Sequence, residues 1–155
     1  MGSIKLLVMG CAAFASLAAP ATAQASAPGE AESLRRLDIM LMVTSLRCRT
    51  TVHNFQADYE QFSSKNLSVL NAAARSLQAD MEKSSGTTAA KRALDRISVS
   101  MANEYGRGHP WLGCSDLKKI TQDLAASKSP VQLASAASEL LASGPRGQWA
   151  MVAAR

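Results

Sequence analysis

The stretch Leu37-Asp38-Ile39-Met40-Leu41-Met42-Val43-Thr44-Ser45-Leu46 is apolar at seven of its ten positions. On a helix those seven side chains point in nearly every direction, and no alternation of apolar and polar residues marks a strand. A helix that is apolar almost all round belongs at the centre of a packed domain, covered by other helices. The run is too short for a bilayer, which needs roughly 20 apolar residues in sequence. Arg35-Arg36 on one side and Arg47 with Arg49 on the other lie about one helix length apart, as expected when both ends reach water. The pattern predicts a central helix from Glu30 to near Arg49.

Toward the C-terminus, Phe55, Tyr59, Phe62, Leu70, Ala73, Leu77 and Met81 recur at helical intervals on one stripe. They predict a single long helix from about Phe55 to Lys83. Ser84-Ser85-Gly86 stops it, with Gly86 placed for a left-handed cap. A further helix is expected from about Thr88 to Tyr105, with Ala90, Leu94, Ile97 and Met101 facing inward. Gly106-Arg107-Gly108-His109-Pro110 reads as a loop, since two glycines and a proline do not continue a helix cheaply. Ser115 is the expected cap of a short helix with Asp116 in its first turn and Leu117, Ile120 and Leu124 on one face. Ser129-Pro130 opens a last helix to Ala142, which Ser143-Gly144-Pro145 ends. No stretch reads as a strand and no repeat is visible. The expected fold is all-α, a small bundle of four to five helices with one disulfide.

The N-terminus directs the rest of the reading. Lys5, the apolar run Ile4 to Leu17 and the small residues Pro20 to Ala25 follow the layout of a cleaved secretory signal. Cleavage is expected before Ser26, with Gln24 the second choice. This divides the chain into a signal peptide (1–25), a helical domain (26–143) and a C-terminal tail (144–155) in which Trp149 is a potential anchor. Cys11 after Val8-Met9-Gly10 loosely matches a lipidation signal. The apolar run continues past it, however, and ordinary cleavage is the expectation. The exported chain keeps two cysteines, Cys48 and Cys114, in an oxidising compartment, and they are expected to pair. In signal style and alanine-rich helices the chain resembles small exported proteobacterial proteins, which implies a periplasmic or secreted location. The likeness covers general character only and carries over no functional residue.

Charge narrows the partners. The chain has 17 Lys and Arg against 12 Asp and Glu, a net charge of +5. The basic residues are scattered, and no aromatics interleave with them as a single-strand nucleic-acid groove requires, so no nucleic-acid partner is expected. A mild positive balance suits an anionic envelope component or an envelope protein.

The most distinctive segment is Tyr105-Gly106-Arg107-Gly108-His109-Pro110-Trp111-Leu112-Gly113-Cys114. It has a structural reading, favoured here, in which Trp111 and Leu112 plug the end of the bundle and Cys114 ties the loop to the first helix. It also has a functional one, in which Tyr105, Arg107, His109 and Trp111 are displayed around a small pocket. Cys48, His53, His109 and Cys114 are zinc-ligand types, but export favours the disulfide over a metal. Covalent haem needs Cys-x-x-Cys-His, which is absent. No cofactor is implied. For catalysis there is no Gly-x-Ser-x-Gly elbow. Glu104 is a lone acid without an evident partner.

The expected function is therefore a non-enzymatic envelope or secreted binding module that acts through the bundle and its cysteine-tied loop. A small-ligand, haem or metal binder at the His53/His109 end is the alternative, and a glycan-active enzyme using Glu104 is the third reading.

Overall fold

The computed structural model describes residues 29–127 and 129–142. The expected signal segment with Cys11, and the expected tail with Trp149, lie outside the described residues. Six helices and no strand are found among those described: α1 (Glu30–Cys48), α2 (Gln56–Lys65), α3 (Leu67–Ser85), α4 (Thr87–Tyr105), α5 (Cys114–Ala126) and α6 (Pro130–Leu140). The all-α class and the disulfide are as expected, and the helix count is one above the expected range.

The central helix is α1, which packs against all five others. Its Leu34, Leu37, Met40 and Leu41 are completely buried. Two polar residues are buried with them, and each is satisfied within the helix: Thr44 Oγ1 donates to the Met40 carbonyl at 2.7 Å and Ser45 Oγ to that of Met42 at 2.7 Å. Such back-bonding lets a hydroxyl enter a core without an unmet donor. Burial is not complete all round. Met42 and Leu46, one turn apart, stay 39% and 44% exposed, so a narrow stripe of α1 faces solvent. Asp38 borders that stripe and accepts from the Tyr59 hydroxyl of α2 at 3.0 Å and from Arg35 at 3.3 Å. Burial raises the pKa of Asp38 above the usual carboxylate value, although the Tyr59 hydrogen bond and the Arg35 charge pull it down.

The long helix expected over 55–83 is divided at Asn66, and the local chemistry explains why. Asn66 leaves helical geometry (φ −103°, ψ 12°), and its side-chain amide donates to the Phe62 carbonyl at 3.0 Å and to the Leu124 carbonyl at 3.4 Å. An asparagine side chain competes with the backbone for such carbonyls, and here it also reaches the last turn of α5. Backbone bonds cross the junction from Asn66 to Phe62 and from Leu70 to Asn66, so α2 and α3 meet at a bend rather than a gap. The apolar stripe survives it: Phe55, Phe62, Leu70, Ala73 and Leu77 are all buried.

Gly86 joins α3 directly to α4. Its φ of +77° is positive as expected, but its ψ of 163° is extended rather than left-handed helical, a combination open to glycine alone. At the start of α5 the expected cap is displaced by two residues. Gly113, not Ser115, is the N-cap, and its N–H donates to the Asp116 carboxylate at 3.2 Å. The start of α6 is as expected, with Ser129 Oγ accepting from the Gln132 N–H at 3.4 Å and Pro130 in the first turn.

Because Leu41 is fully buried in the helix that every other helix touches, Leu41→Asp places an uncompensated carboxylate in the core. The penalty, several kcal/mol, is comparable with the ~5–15 kcal/mol stability of a whole domain. The variant is expected to lose its helical circular-dichroism signal or melt far below wild type, whereas an unchanged melting curve would place α1 outside the core.

Candidate functional site

Cys48, the last residue of α1, and Cys114, the first of α5, form a disulfide with their Cα atoms 5.8 Å apart. The segment between α4 and α5, residues 106–113, is thereby held against the C-terminal end of α1. Two of its side chains are committed to the end of α6. His109 is 9% exposed, and its Nε2 lies 2.9 Å from the Leu140 carbonyl, while Nδ1 lies 3.4 Å from the Trp111 N–H. These partners fix the neutral tautomer, with the proton on Nε2 donating to Leu140 and Nδ1 accepting. Trp111 Nε1 donates to the Ala142 carbonyl at 3.2 Å. The last carbonyls of a helix have no partner within it, and these two rings supply partners at the end of α6.

The rings also stack on one another. His109 meets Trp111 edge-on with centroids 4.8 Å apart, and Tyr105 lies tilted against His109 at 5.5 Å. Burial depresses the pKa of His109, and the Leu140 bond and the Glu104 charge only partly restore it. The Tyr105 hydroxyl is pushed up to about 12, first by burial and then by the neighbouring Glu104 carboxylate.

Between this loop and α1 lies a small, half-enclosed pocket of about 190 Å³. Its floor is the disulfide with Leu112 and Leu117, and its rim carries Arg47 and Arg107. No carboxylate lines it. Neither arginine takes part in an ion pair among the described residues. Gly108 closes one wall with φ +116°, and a Cβ there would stand 3.1 Å from Arg47 Nε. The glycine thus permits a backbone conformation other residues resist, and it also makes room for the Arg47 side chain against the loop. A larger and more open groove of about 410 Å³ runs between Ser33 on α1 and Val131, Ala134, Ser135 and Ser138 on α6, with no cationic residue in its lining.

Of the four loop residues singled out by sequence, Arg107 is exposed, Tyr105 and His109 are buried, and Trp111 is half-buried. The zinc-ligand set does not assemble. Both cysteines are in the disulfide, His53 is exposed in the turn after α1, and both His109 ring nitrogens are engaged. Among the described residues no group of three or more potential metal ligands occurs. Glu104 is exposed near the end of α4, and it does not line the arginine pocket. Sequence reading treated Arg47 as a flanking charge and missed its place here. The signal was available, since a residue next to Cys48 must lie near whatever Cys114 ties down. No family model, curated protein or solved structure matches the chain.

The disulfide closes a separation of 66 residues. In the chain-entropy model such a loop contributes about 4 kcal/mol. Cys48→Ser, or reductant on wild type, is expected to lower the melting temperature by several degrees or more. Thiol titration of the denatured, unreduced chain should find neither cysteine reactive; finding both free would remove the disulfide.

His109 gives a separate pH dependence. The unfolded chain takes up a proton near the ordinary imidazole value, whereas the fold resists it. The stability contributed by neutral His109 is therefore present above about pH 6.5 and is lost as pH falls through the depressed folded-state value. Wild type should melt lower at pH 5.5 than at pH 7.5, and His109→Phe should flatten that difference. An equal pH response in the variant would assign it to other groups.

Proposed function

We propose that this protein is an exported, non-enzymatic binding module that engages an anionic envelope component through the disulfide end of its bundle. The observation that carries the reading is the pairing of Arg47 and Arg107 on one acid-free pocket, neither of them neutralised by a carboxylate among the described residues. An Arg guanidinium is a rigid planar fork of donors, suited to oxyanions and weakly hydrated, so a pair of them around a small cavity favours an anion. The scaffold supports this role. The disulfide and the His109 and Trp111 anchors hold the loop with little freedom left to lose, which lowers the entropic cost of binding. Loops fixed on rigid elements are common places for recognition. The signal-like N-terminus and the overall charge of +5 favour encounter with a negatively charged envelope surface. Among the described residues no helix is long and apolar enough to cross a membrane.

The test is binding of the disulfide-intact chain to anionic envelope polymers and anionic vesicles, each against a neutral counterpart. Binding is expected to prefer the anionic member, to weaken with added salt, and to fall at least about tenfold (roughly 1.4 kcal/mol) in Arg47→Ala/Arg107→Ala. The melting temperature should stay near wild type, since both side chains are exposed. Equal binding to neutral and anionic members, or full binding by the double variant, overturns the proposal.

A further inference from the structure

Resting on the anionic-partner reading, we infer that the Arg47/Arg107 pocket seats a single terminal phosphate group, of the phosphomonoester class. Size gives the first constraint. A pocket of about 190 Å³ accepts one small group and leaves the remainder of any ligand outside. Shape and charge give the second. Each guanidinium offers parallel N–H donors that grip two oxygens at once. A carboxylate has only two oxygens and satisfies one such fork. A terminal phosphate exposes more non-bridging oxygens than a carboxylate, set around a tetrahedral centre, so both arginines can engage it from different sides. Its charge is spread over those oxygens, which suits two cations that have no other partner among the described residues.

The surroundings sharpen the choice. The pocket wall holds no acid to repel an anion. Asp116 is near the pocket's Gly113 edge, where its carboxylate accepts from the Gly113 N–H and keeps its charge, so the two arginines face one acid there. His109 contributes no free donor, because Nε2–H serves Leu140 and Nδ1 accepts from Trp111. Thr44 contributes none either, as its hydroxyl donates to the Met40 carbonyl. Among the side chains that line the pocket, recognition is left to the two arginines. Gly108 leaves room for Arg47 against the loop, since an ideal Cβ there would stand 3.1 Å from Nε.

The experiment is amide NMR titration of the disulfide-intact chain with inorganic phosphate, glycerol phosphate and acetate at fixed pH and ionic strength. Expected are saturable shifts at Gly108, Gly113 and Cys114 with phosphate and glycerol phosphate, at least tenfold tighter than any with acetate. Arg47→Ala/Arg107→Ala should abolish them. Arg47→Lys/Arg107→Lys, which keeps charge but loses the forks, should bind several-fold more weakly. Acetate binding as tightly as phosphate, a Lys variant equal to wild type, or shifts that persist in the Ala variant would each overturn the phosphate seat.

Vesicles then separate the sources. Retention on phosphatidic acid vesicles that soluble glycerol phosphate displaces assigns a lipid headgroup, and no retention assigns a soluble phosphate ligand. Arg-dependent binding to carboxylate polymers without any phosphate response removes the phosphate seat and leaves the anionic-partner reading standing. No response to any anion removes both.

Discussion

Burial of α1 is the constraint on which the remaining structure depends. The other five helices pack on one another only in particular pairs, α2 with α5, α3 with α4 and more slightly α2 with α3, whereas every one of them touches α1. A helix so enclosed must be apolar on most of its faces, and Leu34, Leu37, Met40 and Leu41 meet that demand with complete burial. At roughly 1.5–3 kcal/mol for each fully buried large aliphatic side chain, these four make a contribution of the same order as the net stability of a domain. The polar residues in the same helix are tolerated only because Thr44 and Ser45 bond to their own helix, and because Asp38 finds Tyr59 and Arg35.

The disulfide translates that buried axis into a fixed surface. Cys48 is 1% exposed and ends α1, so the tie to Cys114 anchors the loop to the most enclosed element of the fold. His109 and Trp111 then bind the same loop to the carbonyls of Leu140 and Ala142. Three elements that are distant in sequence, α1, the 106–113 loop and the end of α6, become one unit. The backbone positions of Arg47 and Arg107 are thereby fixed at the mouth of the same pocket.

How much was legible in the sequence follows from the range of each interaction. Helical periodicity is local, so the extents of α1, α4 and α6 could be read to within about two residues. The cysteine pairing could be read from the expectation of export and the two cysteines that lie beyond the expected signal segment. The division at Asn66 could not be read, because one of the two carbonyls that its amide reaches is that of Leu124, 58 residues away. The shift of the cap from Ser115 to Gly113 had a local trace: Asp116 lies three residues after Gly113, the spacing of a capping carboxylate. For the site, the unusual loop was visible, but the division of labour within it was not. Which of Tyr105, Arg107, His109 and Trp111 would turn inward depended on where α6 ends, and that is a matter of tertiary packing.

That division of labour is what makes the arginine pair informative. Within the loop, most polar groups obey the ordinary rules: both ring nitrogens of His109 are matched, the Trp111 indole has a carbonyl, and Gly113 has a carboxylate cap. Unpaired cations are common elsewhere on this surface; what sets Arg47 and Arg107 apart is that both border one small cavity with no carboxylate in its lining among the described residues. The glycine at 108, with its positive φ and its contact with Arg47, gives up backbone stability to keep that geometry open. A covalent tie, two ring anchors and a positive-φ glycine converge on the one small cavity that Arg47 and Arg107 border, and that convergence is what the anion proposal rests on.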